Sequence, residues 1–383
     1  MNKMLSVAIA ISVAIVIIAV SISDPTTDIQ PNEPTSKYAE QVSDPTTDVQ
    51  PNEPTSKYAE QVSDRNKQEP LTINPHYCGS GEANSNKYIT EYVLPNNCSL
   101  PIGIAIDEYG KVWIGESNER KLAVFDPDNE SLQEFDIPGN TEDAKGSGIW
   151  SIIFGKDKSV WFSDVSTNSI WMFQIEEQKF LKYEIPTPES FPFDLTIDKD
   201  EKIWFTESFG KKFGYIDPVT DQIIELEPPL QPSTIGAITV DENNNIWLVM
   251  NNPTGSFVLK YEQESEIYSS YKLPDEVTAP VGISIDKSGN VWIADHAGSM
   301  FFKINPLNNT TKAYVTSLPS VRTSINTGGL PSSYPYWIVI DTNDHIWINE
   351  HQGNAIAVFD PNEETLIEYF IPTQNPNWGA CEG

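Results

Sequence analysis

A tryptophan that follows a short polar turn recurs six times, and this feature constrains the fold more than any other. The segments are DEYGKVW ending at Trp113, GKDKSVW at Trp161, DKDEKIW at Trp204, DENNNIW at Trp247, DKSGNVW at Trp292 and DTNDHIW at Trp347. Successive tryptophans are 48, 43, 43, 45 and 55 residues apart. Before each turn lies an apolar run of the PIGIAID type (101–107), and the Trp opens a second run such as VWIGE (112–116). A third run, such as LAVFD (122–126), ends near Asp-Pro or its relatives, and a fourth, LQEFDIP (132–138), ends in Pro. Four short strands a, b, c and d with turn residues between them make one unit. Helical periodicity is absent outside the N-terminal segment. A four-stranded meander repeated at about 45 residues is an all-β propeller pattern. One such sheet cannot bury both of its faces, so the units must stack side by side around an axis. The recurring Trp then belongs between neighbouring blades, as core.

The ring has a seam. KYITEYVLP (87–95) reads as a d strand with no a or b strand before it, and LTINP (71–75) resembles a c strand. At the other end PNWGACE (376–382) aligns with PYWIVID (335–341). A seventh blade is therefore expected from both ends of the chain, without its Trp-bearing strand, and an open edge of this kind favours a chain that continues beyond Gly383.

The propeller is assigned to residues 71–383. Ahead of it, Met4 to Ile22 is an unbroken apolar or small run with Lys3 before it. Its length suits a transmembrane helix, and a removed signal peptide is the alternative for residues 1–22. Either places the acidic remainder outside the cell membrane, tethered or secreted. Residues 23–42 recur at 43–62 with one change, Ile29 to Val49. This Pro-, Thr- and acid-rich duplication has little to bury, so residues 23–70 read as a disordered, charged spacer. The 55 acidic against 24 basic residues, a formal charge of −31, argue against nucleic-acid partners. The three cysteines, Cys78, Cys98 and Cys381, fit neither a disulfide scaffold nor a zinc pattern.

The motifs P-x-G-I-x-x-D, G-x-[IV]-W-[FI]-x-E, I-x-x-[FI]-D-P and E-[YF]-x-[IL]-P resemble the streptogramin lyase, or virginiamycin B lyase-like, propellers, with NHL-type and gluconolactonase-like propellers as more distant cousins. The resemblance covers roughly residues 87–382. It implies a seven-bladed ring and a magnesium-dependent elimination that opens a cyclic depsipeptide at its ester. It also implies His and Glu residues on the face bearing the d-to-a and b-to-c loops, with a His at x of P-x-G-I. Here that position holds Ile102, Phe193, Val281 and Tyr336.

Three residues beyond each blade Trp stand Glu116, Asp164, Glu207, Met250, Asp295 and Glu350. Five carboxylates at the ends of b strands could hold Mg²⁺ or Ca²⁺, or could each serve their own turn. Two of these acids precede a histidine, giving Asp295-His296 and Glu350-His351 on consecutive blades. The four side chains could ligate a divalent cation, with His296 and His351 as the catalytic candidates. His345 falls on the opposite face and His76 near the tail. The d-to-a connections Ser320–Tyr334 and Gly139–Gly148 are the longest, and Arg322 and Arg120 are the propeller's two arginines. Asn97, Asn129, Asn308 and Asn309 begin N-glycosylation triplets. Two functions are consistent with this set. One is a propeller that binds a small molecule, glycan or protein on its loop-bearing face; the other is a metal-dependent lyase or hydrolase acting on an ester, lactone or glycan. The domain division predicts that limited proteolysis releases a resistant fragment beginning between about residues 65 and 90, where strand signals begin. Unfolding of the propeller on a cut inside 23–70 would remove the spacer reading.

Overall fold

The computed structural model describes residues 83–96, 99–139, 148–156, 158–217, 219–317, 333–351 and 353–372, together with the backbone of three N-terminal strands. Six four-stranded antiparallel blades follow one another along the chain. Blade 1 is β5 (Pro101–Ile106), β6 (Val112–Glu116), β7 (Lys121–Asp126) and β8 (Ser131–Asp136). Blade 2 is β9 (Ile152–Phe154) to β12 (Lys179–Glu184), and blade 3 is β13 (Pro192–Ile197) to β16 (Gln222–Leu226). Blade 4 runs from β17 (Thr234–Val240) to β20 (Ile267–Lys272), blade 5 from β21 (Pro280–Ile285) to β24 (Thr310–Val315), and blade 6 from β25 (Pro335–Ile340) to β28 (Thr365–Phe370). The a-strands β13, β17, β21 and β25 contact one another in that order around the axis, as the repeat requires.

Side-chain chemistry in the a-to-b turn explains why the turn and the Trp travel together. Strand a ends in Asp, whose Oδ1 accepts two amides of the turn and whose Oδ2 accepts the indole N–H of the Trp six residues on. In blade 4, Asp241 accepts from the Asn243 and Asn245 amides at 2.9 Å each and from Trp247 Nε1 at 2.8 Å. Asp107–Trp113, Asp198–Trp204, Asp286–Trp292 and Asp341–Trp347 repeat the tie at 2.8–3.1 Å. Blade 2 has Gly155 in the Asp position. Each turn closes with one left-handed residue, such as Gly110 or Gly289 (φ 82° and 78°), where glycine carries no Cβ penalty.

With the indole edge satisfied, its apolar body is free to fill the gap between blades. Trp113 packs on Phe154 and Phe173 of blade 2, Trp204 on Tyr261 of blade 4, and Trp292 on Phe359 of blade 6. Strand b is buried along its whole length in blades 1, 3, 5 and 6. Strand d alternates towards solvent, as an outer strand with one wet face must.

The N-terminal apolar run departs from the expected helix. β1 (Leu5–Ala10) and β2 (Val16–Ile22) pair with each other, and β2 pairs with β4 (Ile89–Val93), the d strand at the seam. β1 lies against β5, as neighbouring a-strands do. No helix among the described residues is long and apolar enough to cross a membrane. The run is rich in Val and Ile, which suit a strand at an otherwise unpaired edge; its length alone had suggested a helix. Of the spacer, Ala39–Val42 is described, as β3 on the edge strand β24. Residues 71–75 and 376–382, expected to complete the seventh blade, and Cys78, Cys98 and Cys381 lie outside the described residues.

Replacing Asp241 by Ala removes the acceptor for two turn amides, the Asn245 side chain and the indole. It should cost about 2–4 kcal/mol in equilibrium denaturation. Asp128→Ala, at an exposed c-to-d turn, should change stability by no more than about 0.5 kcal/mol. Equal costs for the two would show that the Asp–Trp tie is not a structural anchor.

Candidate functional site

Strand register decides where the acidic residues lie. Pro101 pairs with Glu116, Pro192 with Glu207, Pro280 with Asp295 and Pro335 with Glu350. The last residue of b therefore sits beside the first of a, on the face that carries the d-to-a and b-to-c loops. All five acids are buried. No three of them come together as a metal-holding group among the described residues. Asp295 Oδ1 accepts the Ala279 amide at 2.8 Å. Asp164 accepts Ser166 N at 3.0 Å and Thr167 Oγ1 at 2.8 Å, and pairs at 3.2 Å with Arg120 of blade 1. That buried ion pair joins two blades. Gly298 and Gly353 leave room for the acid three residues earlier: a Cβ at either would lie 2.5 Å from a carboxylate oxygen.

Burial dominates the protonation of Glu116, Glu207, Asp295 and Glu350. It pushes Glu116 up to about 7, with Ser99 and Lys121 opposing it. Burial and then Glu225 push Glu207 up to about 8 against the pull of Lys212. Burial also raises Asp295, opposed by the Ala279 amide, and raises Glu350 well above the usual carboxylate range with Glu368 adding to it.

The two histidines do come together. Their ring centroids are 5.5 Å apart, with His351 stacked on Tyr336 at 4.5 Å and His296 stacked on Tyr334 at 4.8 Å. The His296 amide donates to Ala279 O and the His351 amide to Tyr334 O, which fixes both b-to-c turns against the d-to-a connections. Burial drives His296 down to about 4 and His351 well below its ordinary value. Both imidazoles are neutral at physiological pH. Asp295 and Glu350 do not join them as ligands, and no group of three or more His, Cys, Asp or Glu side chains among the described residues could hold a metal ion. Arg322 and most of the two long loops lie outside the described residues.

The axis itself is aromatic. Register aligns Trp150 of blade 2 with the x position of P-x-G-I, since Ile152 pairs with Phe162 as Ile104 pairs with Ile114. The x residues Trp150, Phe193 and Tyr336 form a cluster with centroids 5.5–6.1 Å apart. Phe191 extends it to Phe209, an exposed ring 4.7 Å away. Phe191 and Tyr334 each precede the strand-a Pro and adopt φ of 58° and 53°, a left-handed conformation uncommon for bulky residues. Beside the cluster the inner strands line an open cavity of about 310 Å³, with Trp150 and buried Asp194 in its wall. Sequence reading missed Trp150, Phe191 and Tyr334; the available signal was their position at or just before the strand-a entry.

The virginiamycin B lyase family model matches residues 87–377. Similar solved structures include virginiamycin B lyase from Staphylococcus aureus, 23% identical over 73% of this chain and 87% of that one, with a TM-score of 0.63. A streptogramin B lyase structure is 24% identical over 73% and 86%, at 0.62. A catalytically inactive histidine-to-alanine variant of the S. aureus lyase, solved with quinupristin, is 24% identical over 73% and 87%, also at 0.62. Among curated proteins none matches the chain.

Glu207 gives a test of the buried-acid assignment. Its pKa in the folded chain is about 8, above the ordinary 4.5. The folded state therefore keeps a proton that the unfolded chain releases. The stability this proton brings is present at low pH and is lost as pH rises through about 8. Wild-type stability should fall between about pH 5 and 8 more steeply than that of Glu207→Gln; identical slopes would mean that Glu207 is ionised in the fold.

Proposed function

Because this chain belongs to the virginiamycin B lyase family, we propose that it keeps the family's scaffold and uses the loop-bearing face to bind a small molecule or glycan, without the family's elimination. The observation that carries this is the axis. Its x positions hold Ile102, Trp150, Phe193, Gly236, Val281 and Tyr336, where the resemblance calls for histidine. Flat aromatic faces capped by neutral imidazoles favour a ring-bearing, largely uncharged ligand that stacks on Trp150, Phe209 or Tyr334.

A second reading, a lyase or hydrolase acting on an ester, lactone or glycan, is favoured by the adjoining His296 and His351. An imidazole with a pKa of about 4 accepts protons weakly, since general bases work best near the operating pH. The donor set also fits Mg²⁺ or Ca²⁺ poorly. These ions want several oxygen ligands, whereas His296 and His351 offer ring nitrogens and the Ala279 amide already takes one oxygen of Asp295.

Export and tethering are part of the proposal. They rest on the composition of Met4–Ile22, a run that in a tethered chain lies in the membrane instead of pairing at the seam, and on the acidic, low-apolar stretch after it. Resistance of the full chain to alkaline carbonate extraction supports a tether, and full release of a chain that retains Met4–Ile22 removes it.

Quinupristin is the probe for the site. We expect measurable binding by calorimetry, weakened by Phe209→Ala, and no ring-opened product by mass spectrometry with Mg²⁺, Ca²⁺, Mn²⁺ or Zn²⁺ added. Turnover that is lost in the His296→Ala/His351→Ala double variant would replace the binding reading with the lyase one.

A further inference from the structure

The repeat supplies its own comparison. In blade 1 the b-end acid Glu116 pairs in register with Lys121 at the start of strand c, and Glu134 of strand d stands opposite Ala123. Lys121 Nζ lies 3.2 Å from Glu134 Oε2. Blade 3 repeats the set: Glu207 opposite Lys212, and Glu225 opposite Gly214, with Lys212 Nζ 2.9 Å from Glu225 Oε2. In both blades the ammonium also acts electrostatically on the b-end acid. Two carboxylates and one cation therefore occupy each slot.

Blade 6 keeps the two acids and lacks the lysine. Glu350 stands opposite Ala355, and Glu368 stands opposite Ala357. Neither acid makes an ion pair among the described residues. Glu350 is 1% exposed, and its Oε1 is buried without a hydrogen-bond partner. Glu368 Oε1 accepts the Ser317 amide at 2.7 Å, and the Ser333 hydroxyl lies beside Glu350. A buried carboxylate must be paired or neutralised, so the slot calls for an occupant that the described residues of this blade do not supply.

We propose that the Glu350–Glu368 slot binds a monovalent cation of potassium or ammonium size, in the place that Lys121 and Lys212 ammonium groups fill in blades 1 and 3. Charge and size both favour this class. The ammonium that fills the equivalent slots carries a single charge. Its contacts to the d-strand carboxylates, 2.9 and 3.2 Å, exceed the roughly 2.0–2.6 Å that Mg²⁺ and Ca²⁺ require. The Ser333 hydroxyl adds a neutral oxygen at the same place. This site is separate from the imidazole pair: it lies between strands b and d of one blade and does not depend on what the aromatic face binds. A proton shared between the two acids is the rival occupant.

The test is thermal denaturation of the full chain at constant ionic strength and pH 7 in potassium, ammonium or choline chloride. The midpoint should rise with potassium or ammonium, by about 2–4 °C for each tenfold above the dissociation constant, and not with choline. Ala355→Lys restores the lysine of blades 1 and 3 and should abolish the ion dependence. Because a lysine at this buried position could disturb folding, Glu368→Gln is the second variant and should also lose the dependence. Equal midpoints in the three salts would overturn the proposal in favour of a shared proton. Retained dependence in a folded Ala355→Lys or Glu368→Gln variant would overturn it by placing the ion elsewhere.

Discussion

The hydrogen bond from a buried indole to an aspartate in the preceding turn is the interaction on which the rest of the ring depends. It appears in five of the six described blades, at 2.8–3.1 Å. An indole N–H buried between sheets without a partner would carry the cost of desolvation. The carboxylate removes that cost and also closes the turn by taking two of its amides. The Trp ring is then held in one orientation, with its apolar body against the next blade. Stability and blade spacing follow from the same contact, since each propeller sheet is stable only when both its faces are covered.

A rigid ring built this way leaves its a-strand entries free to vary. Here they carry Trp150, Phe193 and Tyr336, which fill the axis and carry the imidazoles of His296 and His351 on their rim. Dry surroundings decide the chemistry there. The same burial that holds the histidines neutral raises Glu116, Glu207 and Glu350. An acidic chain with a formal charge of −31 thus keeps several of its acids protonated or paired inside the blades.

Much of this was legible in the sequence, because blade formation is local. Alternation, turn residues and the Trp period gave six blades and the strand order within each, and they put the b-end acids on the loop-bearing face. The neighbouring Asp-His and Glu-His pairs identified two histidines that do meet. Their acids do not accompany them: a residue and its successor on a strand point to opposite sides, so Asp295 and Glu350 turn into their own blades. The N-terminal run shows a limit of composition, since Val- and Ile-rich apolar sequence satisfies its backbone equally as a helix in lipid or as a strand against an open sheet edge.

By itself the sequence determined the all-β repeat, the blade architecture and the core role of the tryptophans, because each rests on contacts within one blade or between consecutive blades. Only the tertiary structure decided which side chains share the axis, since Tyr336 of blade 6 meets Trp150 and Phe193 of blades 2 and 3 across the ring. It also decided protonation, which depends on burial by neighbouring blades and not on residue type. The same holds for Ala355. On the chain it is one alanine among many; beside Glu350 and Glu368 it is a missing positive charge. That difference is visible only once register superimposes the blades, because an electrostatic deficit is a property of groups brought together and not of their order along the chain.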